Sequence, residues 1–273
     1  MTAISETAIF ATLGDGRFAP TELARGPWDV GACHGGPPTA LAARAAEGVL
    51  GGGAWHVARL TVELLRPVPL APLTPAAELV QAGRQVQRVG ASLSLDDGTV
   101  VLRLVALALR VRPLDLSAFD RAAAARPGDT APPAGPFEAR PGASPPGVHH
   151  HGFHDRGMEI RWARGAYAEQ GAAFAWMRLA APLVAGETPS PLQRTAAAAD
   201  FGNGVASALP WTSHTFVNPD LTVYLHRPPI GEWVGVDAVT RPEPSGVGLA
   251  ESALFDETGP IGRAAQSLLL APR

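Results

Sequence analysis

Three polar side chains are of types that could hold and activate a water: Asp200, Asn218 and Gln266. Asp200 closes the run Ala196-Ala197-Ala198-Ala199 inside a helical stretch. Gln266 sits among Ala264, Ala265, Leu268, Leu269 and Leu270. Asn218 precedes Pro219-Asp220, itself a turn signal. A carboxylate can take a proton from a water held within ~3 Å. A buried amide needs a hydrogen-bond partner, and two amides can orient such a water from either side. His34-Gly35-Gly36 opens a second helical stretch. The unpaired N–H groups of a helix start favour negative charge, and glycine lets a reacting group come close. Together these residues suit water attack on a carbonyl, with the oxyanion developing at a helix start. Asp29 and His34, with four residues between them, form an alternative acid/base pair. His149-His150-His151 with His154 has the residue types of a metal site but borders a Pro/Gly-rich stretch with no carboxylate pattern. It reads as a solvated loop, and no metal or other cofactor is expected.

What positions these residues is a duplication. Leu60-Thr61-Val62-Glu63-Leu64-Leu65-Arg66-Pro67 returns as Leu221-Thr222-Val223-Tyr224-Leu225-His226-Arg227-Pro228, six of eight positions being identical (residue 60 against 221, an offset of 161). Two copies are too few for a solenoid and fit a fused pair of units, each covering the other's apolar face. At this offset Asp200 answers to Thr39, Asn218 to Val57 and Gln266 to Val105. The polar set therefore belongs to the second unit, and the first is expected to supply scaffold and pocket wall.

The elements follow from local pattern. Gly14-Asp15-Gly16 is a turn, and Thr21 to Trp28 reads as a strand. Thr39 to Glu47 is Ala-rich and helical, with Pro38 in the first turn and glycines at the end. Strands are expected over 57–66 and 77–89. A hairpin across Asp96-Asp97-Gly98 joins 91–95 to 99–111. In the second unit, strands are expected over 158–164 and 174–179, a helix over 192–208, and strands over 221–227, 233–240, 248–255 and 261–270. Residues 113–150 are rich in Pro, Ala and Gly and read as a linker, with one short helix over 116–125. The expected division is thus 1–112, 113–150 and 151–273.

Composition narrows the function classes. The chain of 273 residues is 46% hydrophobic and 17% charged, which is globular. Its net charge is -3, and all 22 basic residues are Arg, with no basic block of the kind that tracks phosphates. Nucleic acid is not an expected partner. Cys33 is the only cysteine, so an internal disulfide is excluded. The apolar run 100–111 is broken by Arg103 and Arg110 and is too short to span a bilayer. The first ten residues lack a basic segment followed by an apolar core. A cytoplasmic protein with no membrane association is expected.

The helix opened by Gly35-Gly36, the strand ending in Arg66-Pro67, and the second copy with Asp200, Asn218 to Pro228 and Gln266 to Leu270 resemble the double hot-dog acyl-CoA thioesterases of the thioesterase II type. The resemblance implies an α+β fold: two tandem hot-dog repeats forming one continuous antiparallel sheet, with a helix per half packed on it. It implies hydrolysis of an acyl-CoA or other acyl thioester, without a cofactor. In that family an Asp, a Thr and a Gln hold the attacking water. The Asp matches Asp200 and the Gln matches Gln266. The Thr position falls on Asn218, a departure, though Asn also donates and accepts. His34, Gly35 and Gly36 would bind the substrate carbonyl. The large aromatics, Trp28, Trp211 and Phe216 among them, read as core, with some able to line an acyl tunnel. Two rivals share the expected fold: an enoyl-CoA hydratase working through Asp29 and His34, and a non-catalytic acyl-thioester binding protein. Exposed sheet edges and faces lead to the expectation of a homodimer or higher homo-oligomer.

Overall fold

The structure is a computed structural model that describes residues 7–51, 54–118, 132–148 and 151–273. The chain opens with a small hairpin of β1 (Phe10–Gly14) and β2 (Arg17–Pro20). Its turn holds Gly14, Asp15 and Gly16 at positive φ, which glycine tolerates without strain. No strand follows over 21–28. Thr21 instead caps a 3-10 turn, Glu22–Ala24, by accepting a hydrogen bond from the Leu23 N–H. Side-chain capping of this kind competes with extended structure. Helix α1 (Gly36–Leu50) comes next, then β3 (Trp55–Leu64), β4 (Thr74–Ala82), β5 (Val86–Ser94) and β6 (Val100–Arg110).

The single strand expected over 77–89 is in fact a hairpin. The chain reverses near Gly83, where an added Cβ would lie 2.2 Å from the Val86 carbonyl oxygen. Only glycine fits so tight a reversal. The helix expected over 116–125 falls largely outside the described residues. Of the linker, Arg140–Pro141 forms a two-residue strand, β7.

The second half runs through a one-turn π-helix (Phe153–Gly157), β8 (Met158–Arg164), β9 (Ala173–Leu179), α2 (Pro191–Ala199), the short α3 (Gly202–Val205), β10 (His214–Val217), β11 (Asp220–Leu225), β12 (Val234–Pro242), β13 (Val247–Asp256) and β14 (Gly259–Pro272). The one helix expected over 192–208 breaks at Asp200-Phe201. There the Asp200 carbonyl oxygen accepts from the Gln266 side chain (3.1 Å).

Twelve strands form one antiparallel sheet in the order β4-β5-β6-β3-β11-β14-β13-β12-β9-β8-β7, with β10 also on β14. The two copies of the octapeptide meet at its centre. Thr61 pairs with Thr222, flanked by Leu60 with Val223 and Val62 with Leu221. The repeat thus pairs with itself about a local twofold axis. Both longer helices lie on one face of the sheet. Their buried alanines, Ala40, Ala42, Ala43 and Ala46 in α1 and Ala196 to Ala199 in α2, let them pack closely over Leu60, Val62, Leu104, Leu221 and Val223. Alternate residues point to the other face, where Val105, Tyr224, Leu249 and Leu269 are exposed.

Candidate active site

The two helices run side by side in opposite senses, so the end of each meets the start of the other. Asp200, the C-terminal cap of α2, is brought to the N-terminus of α1. Its carboxylate is 2% exposed. One oxygen, Oδ2, lies 2.9 Å from His34 Nδ1. The other, Oδ1, accepts from Asn218 Nδ2 (2.8 Å) and more loosely from Gln266 Nε2 (3.4 Å). The backbone of Gly35 closes the fourth side: a Cβ on that residue would sit 2.8 Å from Oδ2. Asp200, Asn218, Gln266, His34 and Gly35, drawn from both halves, therefore converge on one carboxylate.

The contacts of the individual residues differ. Gln266 is fully committed, its amide nitrogen donating to Asp200 and its Oε1 accepting from the Asn203 N–H (3.2 Å). It sits beneath the carboxylate and fixes it. Asn218 is at the break between β10 and β11, half-buried, and lines the cavity described below. Its nitrogen is spent on Asp200 Oδ1 and the Asp220 carbonyl. Gly36 lies behind the site, where its missing side chain lets α1 approach the Ala197 carbonyl; a Cβ there would be 2.5 Å away. Its N–H lies 3.1 Å from His34 Nδ1. A proton on Nδ1 serves Asp200, leaving the Gly36 N–H without that acceptor, and the negative partner favours this tautomer. His34 is also stacked on Phe201, with ring centroids 4.3 Å apart.

A cavity of about 440 Å³ opens in front of Asp200. His34, Gly35, Asp200, Phe201 and Asn218 form the wall that carries the carboxylate. Trp28, Tyr167 and Trp211 form an apolar wall, with Trp28 and Trp211 stacked at 4.9 Å and Phe216 edge-on to both. Leu64, Arg66 and Pro67, from the first copy of the octapeptide, line it as well. Arg66 is exposed there. Burial holds the Tyr167 phenol far above its ordinary range, so it stays neutral. Burial also pushes the Cys33 thiol up to about 12, which removes it as a nucleophile at neutral pH.

Two sequence readings change. His34 has its carboxylate partner in Asp200. Asp29 is exposed, and its Oδ1 accepts from the Gly31 N–H (2.8 Å) in a local turn. Among the described residues no group of three or more His, Cys, Asp or Glu could hold a metal. His149 and His150 lie outside those residues, His151 pairs with Asp155, and His154 is buried and lines the cavity. Sequence reasoning did not anticipate His154, Tyr167 or Asn203 at this site. His154 stands out in the sequence only as part of a histidine-rich stretch, and nothing in local pattern sets Tyr167 or Asn203 apart, since only the tertiary fold gathers them.

Sheet register sets the correspondence between the halves. Thr61 pairs with Val105 on β6, and Thr222 with Ala265 on β14. The counterpart of Gln266 is thus the buried Ala106, not Val105, which faces the opposite side. Asn218 does answer to Val57. Thr39 is buried in the first turn of α1 and does not mirror Asp200. That place is taken by Glu47, near the end of α1 and beside the start of α2.

One sheet built from two helix-bearing halves joined at paired central strands is the double hot-dog architecture. Residues 24–110 match the acyl-CoA thioesterase N-terminal domain, and residues 122–270 match the acyl-CoA thioesterase C-terminal domain. The chain belongs to the acyl-CoA thioesterase family. Solved structures share the fold along almost the whole length. A protein from Novosphingobium aromaticivorans, provisionally named a thioesterase, is 24% identical, with TM-score 0.68 over 96% of this chain and 98% of its own. A hot-dog protein of unknown function from Alicyclobacillus acidocaldarius is 18% identical, with TM-score 0.69 over 96% and 95%. Acyl-CoA thioesterase II of Mycobacterium marinum is 15% identical, with TM-score 0.63 over 97% and 96%. No curated protein matches the sequence. No helix among the described residues is long and apolar enough to cross a membrane.

Proposed function

We propose that this chain hydrolyses acyl-CoA thioesters to the free acid and coenzyme A, with Asp200 as general base. The observation that carries the reading is the buried Asp200 carboxylate, held at the wall of a largely apolar cavity and at the start of α1. The acyl chain lies against Trp28 and Trp211. The thioester carbonyl faces the Gly35 N–H, where the helix start favours the oxyanion. Asp200 takes a proton from a water as the water oxygen bonds to the carbonyl carbon. The C–S bond then breaks, and the departing thiolate receives the proton. Asn218 and His34 aim the carboxylate, and Gln266 fixes it from below. His34, Gly35 and Gly36 form the substrate-binding helix start, with Gly36 acting through the close approach of the helices. Arg66, exposed at the cavity, offers positive charge to the phosphates of the thiol carrier.

The same reading covers organisation. Residues 1–112 are the scaffold half, 113–150 the connection and 151–273 the half bearing the base. The exposed apolar side chains on the free sheet face, Tyr224, Leu249 and Leu269 among them, fit a second copy of the chain, giving a homodimer working in the cytoplasm. Light scattering at micromolar concentration tests this, and a monomer mass contradicts it.

The activity is tested by incubating the protein with acyl-CoAs of increasing chain length and measuring released thiol. Turnover at one or more lengths is expected. Tight binding without thiol release would instead favour an acyl-thioester binding protein, and hydration of an enoyl-CoA without thiol release would favour a hydratase.

A further inference from the structure

We infer that the chain carries a second acyl-thioester site, on the far side of the helix pair, that binds without hydrolysing. The inference rests on the first cavity being an acyl-thioester site. A second cavity, of about 230 Å³, is lined by Leu225 and Pro228, the repeat counterparts of Leu64 and Pro67 in the first. Val57 lines it where Asn218 lines the first, and His56 where Val217 does. The correspondence extends to the carboxylate. Glu47 lies at the start of α2 as Asp200 lies at the start of α1. Both its oxygens are 2.8 Å from the hydroxyl of Ser190, the N-cap of α2, and one accepts from Gln193 Nε2 (2.9 Å). The remaining walls are apolar: Leu50, Trp55 and Leu192. Two cavities that share these repeat positions, each at a helix start with a carboxylate from the opposing helix, call for the same class of ligand.

The differences between the two decide what the second can do. The amides around Asp200 are replaced by Val57 and Ala106. The N-cap of the helix is Ser190 in place of Gly35, and its hydroxyl lies 2.8 Å from both oxygens of Glu47, where Gly35 leaves Asp200 open to the cavity. With the positioning amides gone and Glu47 tied to Ser190 and Gln193, no carboxylate is aimed at a water, and hydrolysis is lost while apolar contact remains. Glu47 also selects between acyl ligands. Its carboxylate sets a negative charge against the carboxylate of a free fatty acid, whereas a thioester head is neutral. Its volume, about half that of the first cavity, suits a shorter portion of the chain.

The test is calorimetric titration of the full-length protein with a thioether analogue of octanoyl-CoA, which cannot be hydrolysed. Two sites per chain with different affinities are expected. Leu50→Trp, at the end of α1, and Val57→Trp, in the sheet, both fill the second cavity. Each should leave one site, weakening the other at least 10-fold. The two variants guard against a fold effect of either one. Octanoate should not compete for the second site. A single site in the unaltered protein, a second site untouched by both variants, or octanoate binding as well as the analogue there would overturn the inference. Hydrolysis of octanoyl-CoA alongside a single binding site would leave the thioesterase reading standing and remove only the second site. Absence of both binding and hydrolysis would remove both.

Discussion

Asp200 Oδ2 lies 2.9 Å from Nδ1 of His34, and the two residues come from opposite halves of the duplicated chain. The contact exists because α1 and α2 lie side by side in opposite senses, so the end of one helix reaches the start of the other. Neither half alone can assemble it. The carboxylate belongs to the second repeat, and the helix start and Leu64-Arg66-Pro67 belong to the first.

Gln266 bridges Asp200 and the Asn203 backbone, and it touches the carboxylate rather than the cavity. Gln266→Ala should therefore lower kcat with little change in KM, because it acts on the base and not on the acyl chain. A loss of roughly 10²-fold is expected, the usual cost of a carboxylate displaced by about 1 Å. Steady-state kinetics checks this. A large rise in KM with kcat intact would assign Gln266 to substrate binding instead.

Arg66 is exposed at the cavity, whereas its repeat counterpart Arg227 is locked in an ion pair with Asp256. Arg66→Ala should raise KM for acyl-CoA by about 2- to 5-fold, the range of an exposed ion pair. It should leave the KM of an acyl thioester of N-acetylcysteamine, which has no phosphates, unchanged. Equal effects on both substrates would refute a role at the carrier.

Asp256 is fully buried, which on its own would raise its pKa. The Arg227 guanidinium, the N–H of Ile230 and the donors of Thr258 overcome this and hold the carboxyl well below the usual range. Its folded pKa is thus depressed. Its contribution to stability is complete above the unfolded value, near pH 4, and is lost as pH falls towards the folded value. Urea midpoints should be flat in this respect from pH 5 to 7 and decline below about 4. Asp256→Asn should be less stable at pH 6 and should decline less steeply in acid.

Gly36 is needed for packing. A Cβ there would meet the Ala197 carbonyl oxygen at 2.5 Å and the Phe153 ring at 3.1 Å. Gly36→Ala should push α1 from α2 and cost about 1–3 kcal/mol, as overpacking does. Because the same shift moves His34 from Asp200, turnover should fall as well. Thermal denaturation read beside kinetics would show both losses, and an unchanged melting point would contradict the packing argument.

The duplication made the sheet readable in the sequence, because Leu60–Pro67 and Leu221–Pro228 could only be equivalent strands. What pattern could not show was register and direction. A one-residue difference between β6 and β14 moves the counterpart of Gln266 from Val105 to Ala106. The opposed helices make Glu47, not Thr39, the answer to Asp200. The break in the helix at Asp200-Phe201 was hidden too, because Gln266, 66 positions further along, takes the carbonyl there. Gly83 marks a reversal whose tightness only the fold reveals, and the strand expected over 77–89 was two for that reason. Asp200, Asn218, Gln266, His34 and Gly35 were each visible as candidates. Tyr167 and Asn203 were not, and His154 stood out only beside His149 to His151, since what sets the three apart is where the fold places them.

The central claim is that one carboxylate, Asp200, activates the water. Asp200→Asn keeps the size of the side chain and removes its basicity. Released thiol should be measured for this variant, for the unaltered protein and for Thr39→Ala, at saturating acyl-CoA and matched folded concentration. The account predicts that Asp200→Asn loses ~10²–10⁴-fold in turnover, while Thr39→Ala, altered at a buried position away from the carboxylate, retains most of it. Undiminished turnover in Asp200→Asn, or an equal loss in both variants, would contradict it.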